Sequence, residues 1–109
     1  MMAVIHRGKA QKYKAALIAL YNGKCQYCDD CANVIDHIIP LALGGKDEIE
    51  NLIPACWRCN AKKGKVKMPE GYTAILIGRA HEKALIIKKM EVDLKGANST
   101  GLENEVESE

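Results

Sequence analysis

Phenylalanine is absent from the 109 residues and tryptophan occurs once, so the core must be built from aliphatic side chains and is thin for the chain's length. A small protein with a thin core usually needs a staple, either a disulfide or a metal. No run approaches the roughly 20 consecutive apolar residues that cross a bilayer, and this excludes a membrane-spanning helix. The opening Met1-Met2-Ala3-Val4-Ile5 is broken at once by His6-Arg7-Gly8-Lys9 and does not resemble a secretory signal, so a reducing, cytoplasmic setting is expected. The length suits one domain and is too short for two independent cores.

Lysine and arginine are missing from the last stretch. From Ala97 onward there are four glutamates and no basic residue, which leaves residues 1–96 with 16 basic groups against 10 acidic ones behind a formal net charge of +2. A basic body with an acidic tail suits a polyanionic partner, although many solvated surfaces carry a similar balance.

Five cysteines are present, and four of them stand in two Cys-x-x-Cys pairs: Cys25 with Cys28, and Cys56 with Cys59. In a reducing compartment such pairs read as metal ligands rather than as a disulfide framework. Two knuckles each presenting two thiolates match one tetrahedral Zn²⁺, with disulfides or a redox thiol pair as the rival readings. The 27 residues between the pairs are enough to hold a strand pair and a site. Cys31 extends the first knuckle; it could replace Cys25 or Cys28 as a ligand, and the favoured reading is a free thiol.

Tyr13, Ala16, Leu17 and Leu20 recur at helical spacing, predicting an amphipathic helix over about Lys9 to Tyr21 that Asn22-Gly23 closes. Val34 to Ile39 is a short β-branched run ended by Pro40, and predicts a strand carrying Asp36 and His37 near its end. Gly44-Gly45 opens a loop, Leu52-Ile53-Pro54-Ala55 predicts a second strand, and Cys56 to Lys63 predicts a short helix. The result is a ββα unit. Leu76, Ala80, Ala84, Ile87, Met90 and Leu94 predict a second amphipathic helix over about Ile75 to Leu94, packed on that unit rather than forming a dimer. The divisions expected are 1–24, a helical segment; 25–67, the ββα core; 68–95, the packing helix; and 96–109, a disordered acidic tail.

Asp36-His37-Ile38-Ile39-Pro40, Gly44-Gly45, Asn51-Leu52 and Cys56-x-x-Cys59-Asn60-x-x-Lys63 resemble the zinc-containing branch of the HNH endonucleases, the ββα-metal nucleases. The resemblance spans Cys25 to Lys63 and is silent on the flanking helices. Asn60 stands where many members carry a second histidine, as in the HNN variants. The fold implied is α+β, a small zinc-stapled ββα-metal core between two helices. The activity implied is hydrolysis of DNA phosphodiester bonds, by nicking or double-strand cleavage, to 5′-phosphate and 3′-hydroxyl ends. His37 would be the general base, Asn51 would bond to the loop or to His37 and fix the imidazole, and Asp36 with Asn60 would hold Mg²⁺ or Mn²⁺. Small HNH proteins of this layout resemble those of phages and mobile elements.

The residue types suit that chemistry on their own account. Histidine, with an ordinary pKa of about 6.5, is the side chain best matched to take a proton from water near neutrality. Asp36 and Asn60 offer hard oxygen donors. Adjacent strand residues point to opposite faces, so Asp36 and His37 can share a site only if the chain bends beside them. Arg58, Lys62, Lys63, Lys65 and Lys67 are the candidates for phosphate contacts. Trp57 is expected to pack rather than to stack on bases, while His6 and His81 are expected to be solvated. The body holds no evident recognition domain, so target choice is limited or supplied by a homodimer or a recruiting protein. The rival of a different class is a zinc-stabilised nucleic-acid-binding module without catalysis.

Overall fold

The computed structural model describes residues 8–99, in the order α1 (Gly8–Lys12), α2 (Lys14–Leu20), β1 (Val34–His37), β2 (Leu52–Ala55), α3 (Trp57–Lys63) and α4 (Glu70–Ser99). Short 3₁₀ turns at Leu41–Leu43 and Ile49–Asn51 fill the connection between the strands. The architecture is α+β, with the expected ββα unit between N-terminal and C-terminal helices.

The predicted first helix is divided at Tyr13, whose φ of −101° and ψ of 8° depart from helical values. Backbone bonds from Tyr13 to Lys9 and from Leu17 to Tyr13, both 2.9 Å, carry the ladder across the break. The end is a Schellman closure: Gly23 donates to Ile18 at 2.8 Å and Asn22 to Ala19 at 3.0 Å, with Asn22 and Gly23 both at positive φ.

β1 and β2 pair antiparallel, with Val34 opposite Ala55, Ile35 opposite Pro54, Asp36 opposite Ile53 and His37 opposite Leu52. All of β2 is buried, because α2 and α4 cover it. The main core joins Leu17, Tyr21, Ile38, Ile49, Leu52, Ile53, Leu76, Ala80, Ala84 and Ile87, aliphatic apart from one tyrosine. A second, smaller cluster forms around Cys25, Ala55 and Cys56. The absence of phenylalanine is thus met by two small cores rather than one large one.

Helix α4 begins five residues before the predicted start and continues through Ser99, so residues 96–99 are helical rather than part of the expected tail. Of its predicted apolar stripe, Leu76, Ala80, Ala84 and Ile87 are buried, whereas Met90 is half exposed. Past Met90 the helix still meets the body at Glu91, whose carboxylate accepts from the Tyr13 hydroxyl at 2.7 Å. The rest of the acidic tail, and His6 at the other end, lie outside the described residues.

Lys88 pairs with Glu50 and so ties α4 to the second 3₁₀ turn. That hydrogen bond holds Glu50 below the usual glutamate range. A folded pKa lowered in this way stabilises the fold above the ordinary value near 4.5, and the contribution is lost as pH falls through the lowered value. Glu50→Gln should therefore flatten the acid limb of a stability-versus-pH curve measured by urea unfolding, leaving a smaller loss below pH about 4.5 than in the parent.

Candidate active site and cysteine cluster

The first knuckle turns through Asp29, at φ +68°, with Asp29 donating to the Cys25 carbonyl at 2.9 Å and Cys25 donating to the Asp30 carbonyl at 2.6 Å. The second opens α3, where Cys56 occupies the N-cap position and its sulfur accepts from the Cys59 N–H at 3.4 Å. The Tyr27 N–H donates to Cys25 Sγ at the same distance. The sulfurs of Cys25, Cys28, Cys56 and Cys59 all lie within 4.8 Å of one another, and Cys28 Sγ is 3.7 Å from Cys56 Sγ. Four thiolates at about 2.3 Å from a tetrahedral ion would stand about 3.8 Å apart, so the four sulfurs are close enough to be drawn around one ion. The thiols titrate as a unit: the Cys59 N–H pulls Cys56 down to about 7, and burial pushes Cys59 up to about 12. Cys31 stands outside the cluster, exposed, in an isolated bridge with Lys24.

β1 delivers Asp36 and His37, and the chain bends immediately after His37. Ile38 donates to the Asn51 carbonyl at 2.8 Å, which carries the pairing one residue past His37. Asp36, His37 and Asn60 all line one basin of about 230 Å³, with Ile35, Pro40, Leu41, Ala42, Gly64 and Lys65. β1 and α3 thus bring Asp36, His37 and Asn60 to the same basin. Asn60 follows Cys59 directly, so the cysteine cluster positions it.

The Asn51 side chain bonds to the loop and not to His37. Its Oδ1 accepts from the Ile39 N–H at 2.9 Å, and its Nδ2 donates to the Ile39 and Lys46 carbonyls at 3.0 and 2.9 Å. Of its two expected partners it takes the loop, and staples it shut. Gly45 is required here: a Cβ there would stand 1.8 Å from the Ile39 carbonyl oxygen and 3.0 Å from Asn51 Nδ2. Gly45→Ala should cost about 1–3 kcal/mol, as overpacking does, read as a lower denaturant midpoint with unchanged slope.

Asp36 is nearly buried and already has company. Tyr27 donates its hydroxyl to Asp36 Oδ2 at 2.5 Å, and Lys63 Nζ approaches the same oxygen at 3.1 Å. Burial, together with Asp36, pushes the Tyr27 hydroxyl well above the usual tyrosine range, so it remains a donor. Lys63 Nζ also lies 3.4 Å from Asp36 Oδ1, so both carboxylate oxygens are engaged, although a carboxylate's roughly four lone-pair sites are not all taken. Lys63 also donates to the His37 carbonyl at 3.1 Å, and its side chain is only 3% exposed. It supports the site from beneath and does not present a phosphate contact, which departs from its expected place on the basic face. Lys62, Lys65 and Lys67 are exposed, as is Arg58, which pairs with Asp30 at 3.0 Å. Trp57 is 61% exposed and does not pack as expected; its backbone N–H donates to Asn33 Oδ1 at 2.9 Å at the start of α3. His81 is exposed.

The imidazole is held by a residue that pattern reading passed over as loop. His37 Nε2 lies 2.9 Å from Asp47 Oδ1, and Asp47 Oδ2 accepts from the Lys9 N–H at 2.9 Å. Burial works against the Asp47 charge, yet the imidazole and the Lys9 N–H together hold it below the usual carboxylate range. The available signal was only an acidic residue two positions after Gly44-Gly45.

No described helix is long and apolar enough to cross a membrane. A search of curated proteins found no match to the chain. Residues 25–65 match the family model of the HNH endonuclease, and these are the residues that build both the thiol cluster and the basin. The span from Cys25 to Lys65 is thus similar to the HNH endonuclease family, and its four clustered cysteines are consistent with the cysteine-bearing branch of that family.

Proposed function

We propose that this protein is a metal-dependent endonuclease that hydrolyses DNA phosphodiester bonds, by nicking or double-strand cleavage, and leaves 5′-phosphate and 3′-hydroxyl ends. The observation that carries the reading is the shared basin of Asp36, His37 and Asn60. Cys25, Cys28, Cys56 and Cys59 hold a structural Zn²⁺, which their sulfur spacing fits. Asp36 and Asn60, both oxygen donors, are the residues that hold Mg²⁺ or Mn²⁺. Such a cation supplies positive charge for the phosphate and for the departing sugar oxygen.

The chain's own residues supply the rest. His37 takes the proton of the attacking water, within reach of the basin it lines. Asn51 keeps the loop from Ile39 to Lys46 closed beside the imidazole. Tyr27 and Lys63 orient Asp36. Lys65, at the rim, and Lys62 and Lys67 nearby draw the phosphate backbone toward it. Incubation of the zinc-loaded protein with supercoiled plasmid and Mg²⁺ or Mn²⁺ should yield nicked or linear DNA, and intact plasmid under every divalent ion would reject the reading.

The Lys63 ammonium on Asp36 favours a second reading, a zinc-held nucleic-acid-binding module in which that carboxylate serves structure alone. It predicts salt-sensitive binding without strand breaks. Both readings expect the exposed lysines to contact phosphate. Removing the charges of Lys62, Lys65 and Lys67 together should weaken DNA binding across all sequences and make the slope of log K against log salt shallower by about 0.9 for each phosphate that is no longer neutralised. Fluorescence anisotropy at a series of salt concentrations reads that slope.

A further inference from the structure

The proposed base has two ring nitrogens, and the fold treats them differently. Nε2 is engaged at 2.9 Å by Asp47, a residue ten positions along the chain in the loop between the two 3₁₀ turns. A carboxylate accepts and does not donate, so the neutral ring must carry its proton on Nε2 and keep the Nδ1 lone pair free. Asp47 does not choose its own position either. Its other oxygen accepts the backbone N–H of Lys9, in the first turn of α1, and Gly8 presses so close that a Cβ there would stand 2.2 Å from Asp47 Oδ2. Gly8 itself sits at φ +78°, a conformation that glycine accepts without strain. Lys9 adds a second tie to the same loop through its ammonium and Glu48, at 2.9 Å.

From this geometry we infer that Asp47 is a positioning residue that locks His37 in the Nε2–H tautomer, with the start of α1 as its anchor, so that Nδ1 is the atom that takes the proton. The assignment deepens the nuclease reading and rests on it only for the role of the freed nitrogen; the tautomer itself does not depend on cleavage. It also gives the helix outside the family-matched segment a part in the site: α1 sets the carboxylate, and the carboxylate sets the ring.

Two measurements on the full-length, zinc-loaded protein test this. Long-range ¹H–¹⁵N correlation spectra of ¹⁵N-labelled protein at about pH 8.5, where an ordinary imidazole is neutral, read the tautomer directly. The parent should show His37 protonated on Nε2, and Asp47→Ala should show the mixture of tautomers typical of an untethered ring. Gly8→Val leaves Asp47 in the chain but crowds its carboxylate, and should shift the spectrum the same way. Plasmid cleavage by Asp47→Ala should lose roughly 10- to 100-fold in kcat, the usual range for a residue that orients another group, with KM within about twofold. A parent protonated on Nδ1, or an Asp47→Ala protein with an unchanged tautomer, overturns the inference. A parent that shows the Nε2–H tautomer but leaves plasmid intact would reject the nuclease reading while upholding the Asp47–His37 assignment.

Discussion

His37→Ala should abolish DNA cleavage, with a loss of roughly 10²–10⁴-fold in kcat, while zinc content and DNA affinity stay close to those of the parent. The magnitude follows from what is removed. Histidine is the side-chain type best matched to take a proton from water near neutrality, and His37 is the histidine that lines the basin. Stability should change little: His37 ends its strand half-buried and lies outside both apolar clusters. A supercoiled-plasmid assay, run beside anisotropy with a labelled duplex, separates loss of chemistry from loss of binding. Cleavage that persists undiminished in the variant would remove His37 from the mechanism.

Removing the thiol-bound metal should have the larger structural effect. The smaller core is little more than Cys25, Ala55, Cys56 and their neighbours, and it cannot hold the two knuckles together by burial alone. Structural zinc contributes an apparent 10–16 kcal/mol in zinc-finger peptides near neutrality, comparable to the whole stability of a typical domain at about 5–15 kcal/mol. Chelation, or Cys56→Ser, should therefore unfold the region from Cys25 to Lys63 at room temperature. Circular dichroism and the emission of Trp57 would follow the loss, and stoichiometric Zn²⁺ should restore the signal of the chelated parent. Cys31→Ser should behave as the parent does, because its thiol lies outside the cluster. Retention of a cooperative unfolding transition after complete zinc removal would contradict the role given to the cluster.

These two expectations rest on features that differed in how plainly the sequence announced them. Secondary structure in the ββα unit was legible because each element is short and punctuated: Pro40, Gly44-Gly45 and Gly64 mark its limits, and β-branched residues fill β1. The thiol cluster was legible because two paired cysteines admit few readings in a reducing setting. The basin was legible in part. Asp36, His37 and Asn60 were singled out together, but what binds each of them was not, since partners distant in sequence leave no periodic trace. Lys63 illustrates the limit. In sequence it continues a basic run with Lys62, Lys65 and Lys67, yet the helical turn rotates it inward onto Asp36 while its neighbours face water. Trp57 fails in the opposite sense: a large apolar side chain argues for burial, but at the first position of α3 it projects away from the body that the cysteines hold. Asp47 was least visible of all, because a loop acid acquires meaning only when α1 folds back and offers it a backbone N–H.

The position of α1 also explains why the site is built in a body this small. The family-matched segment holds the residues proposed as donors and base, and the flanking helices brace it: α4 covers β2 and the second 3₁₀ turn, and α1 reaches Asp47. Catalytic groups must be held within a fraction of an ångström to be effective, and a two-stranded sheet alone is marginal in water.

The central claim is that Asp36 and Asn60 hold an exchangeable divalent cation beside His37, apart from the thiol-bound ion. Anomalous diffraction from crystals of the zinc-loaded protein soaked in Mn²⁺ tests it most directly. The account predicts a manganese peak in the basin, bounded by Asp36 and Asn60 oxygens, and a separate zinc peak among the four sulfurs. A basin that stays empty at saturating Mn²⁺, with or without bound DNA, would contradict it.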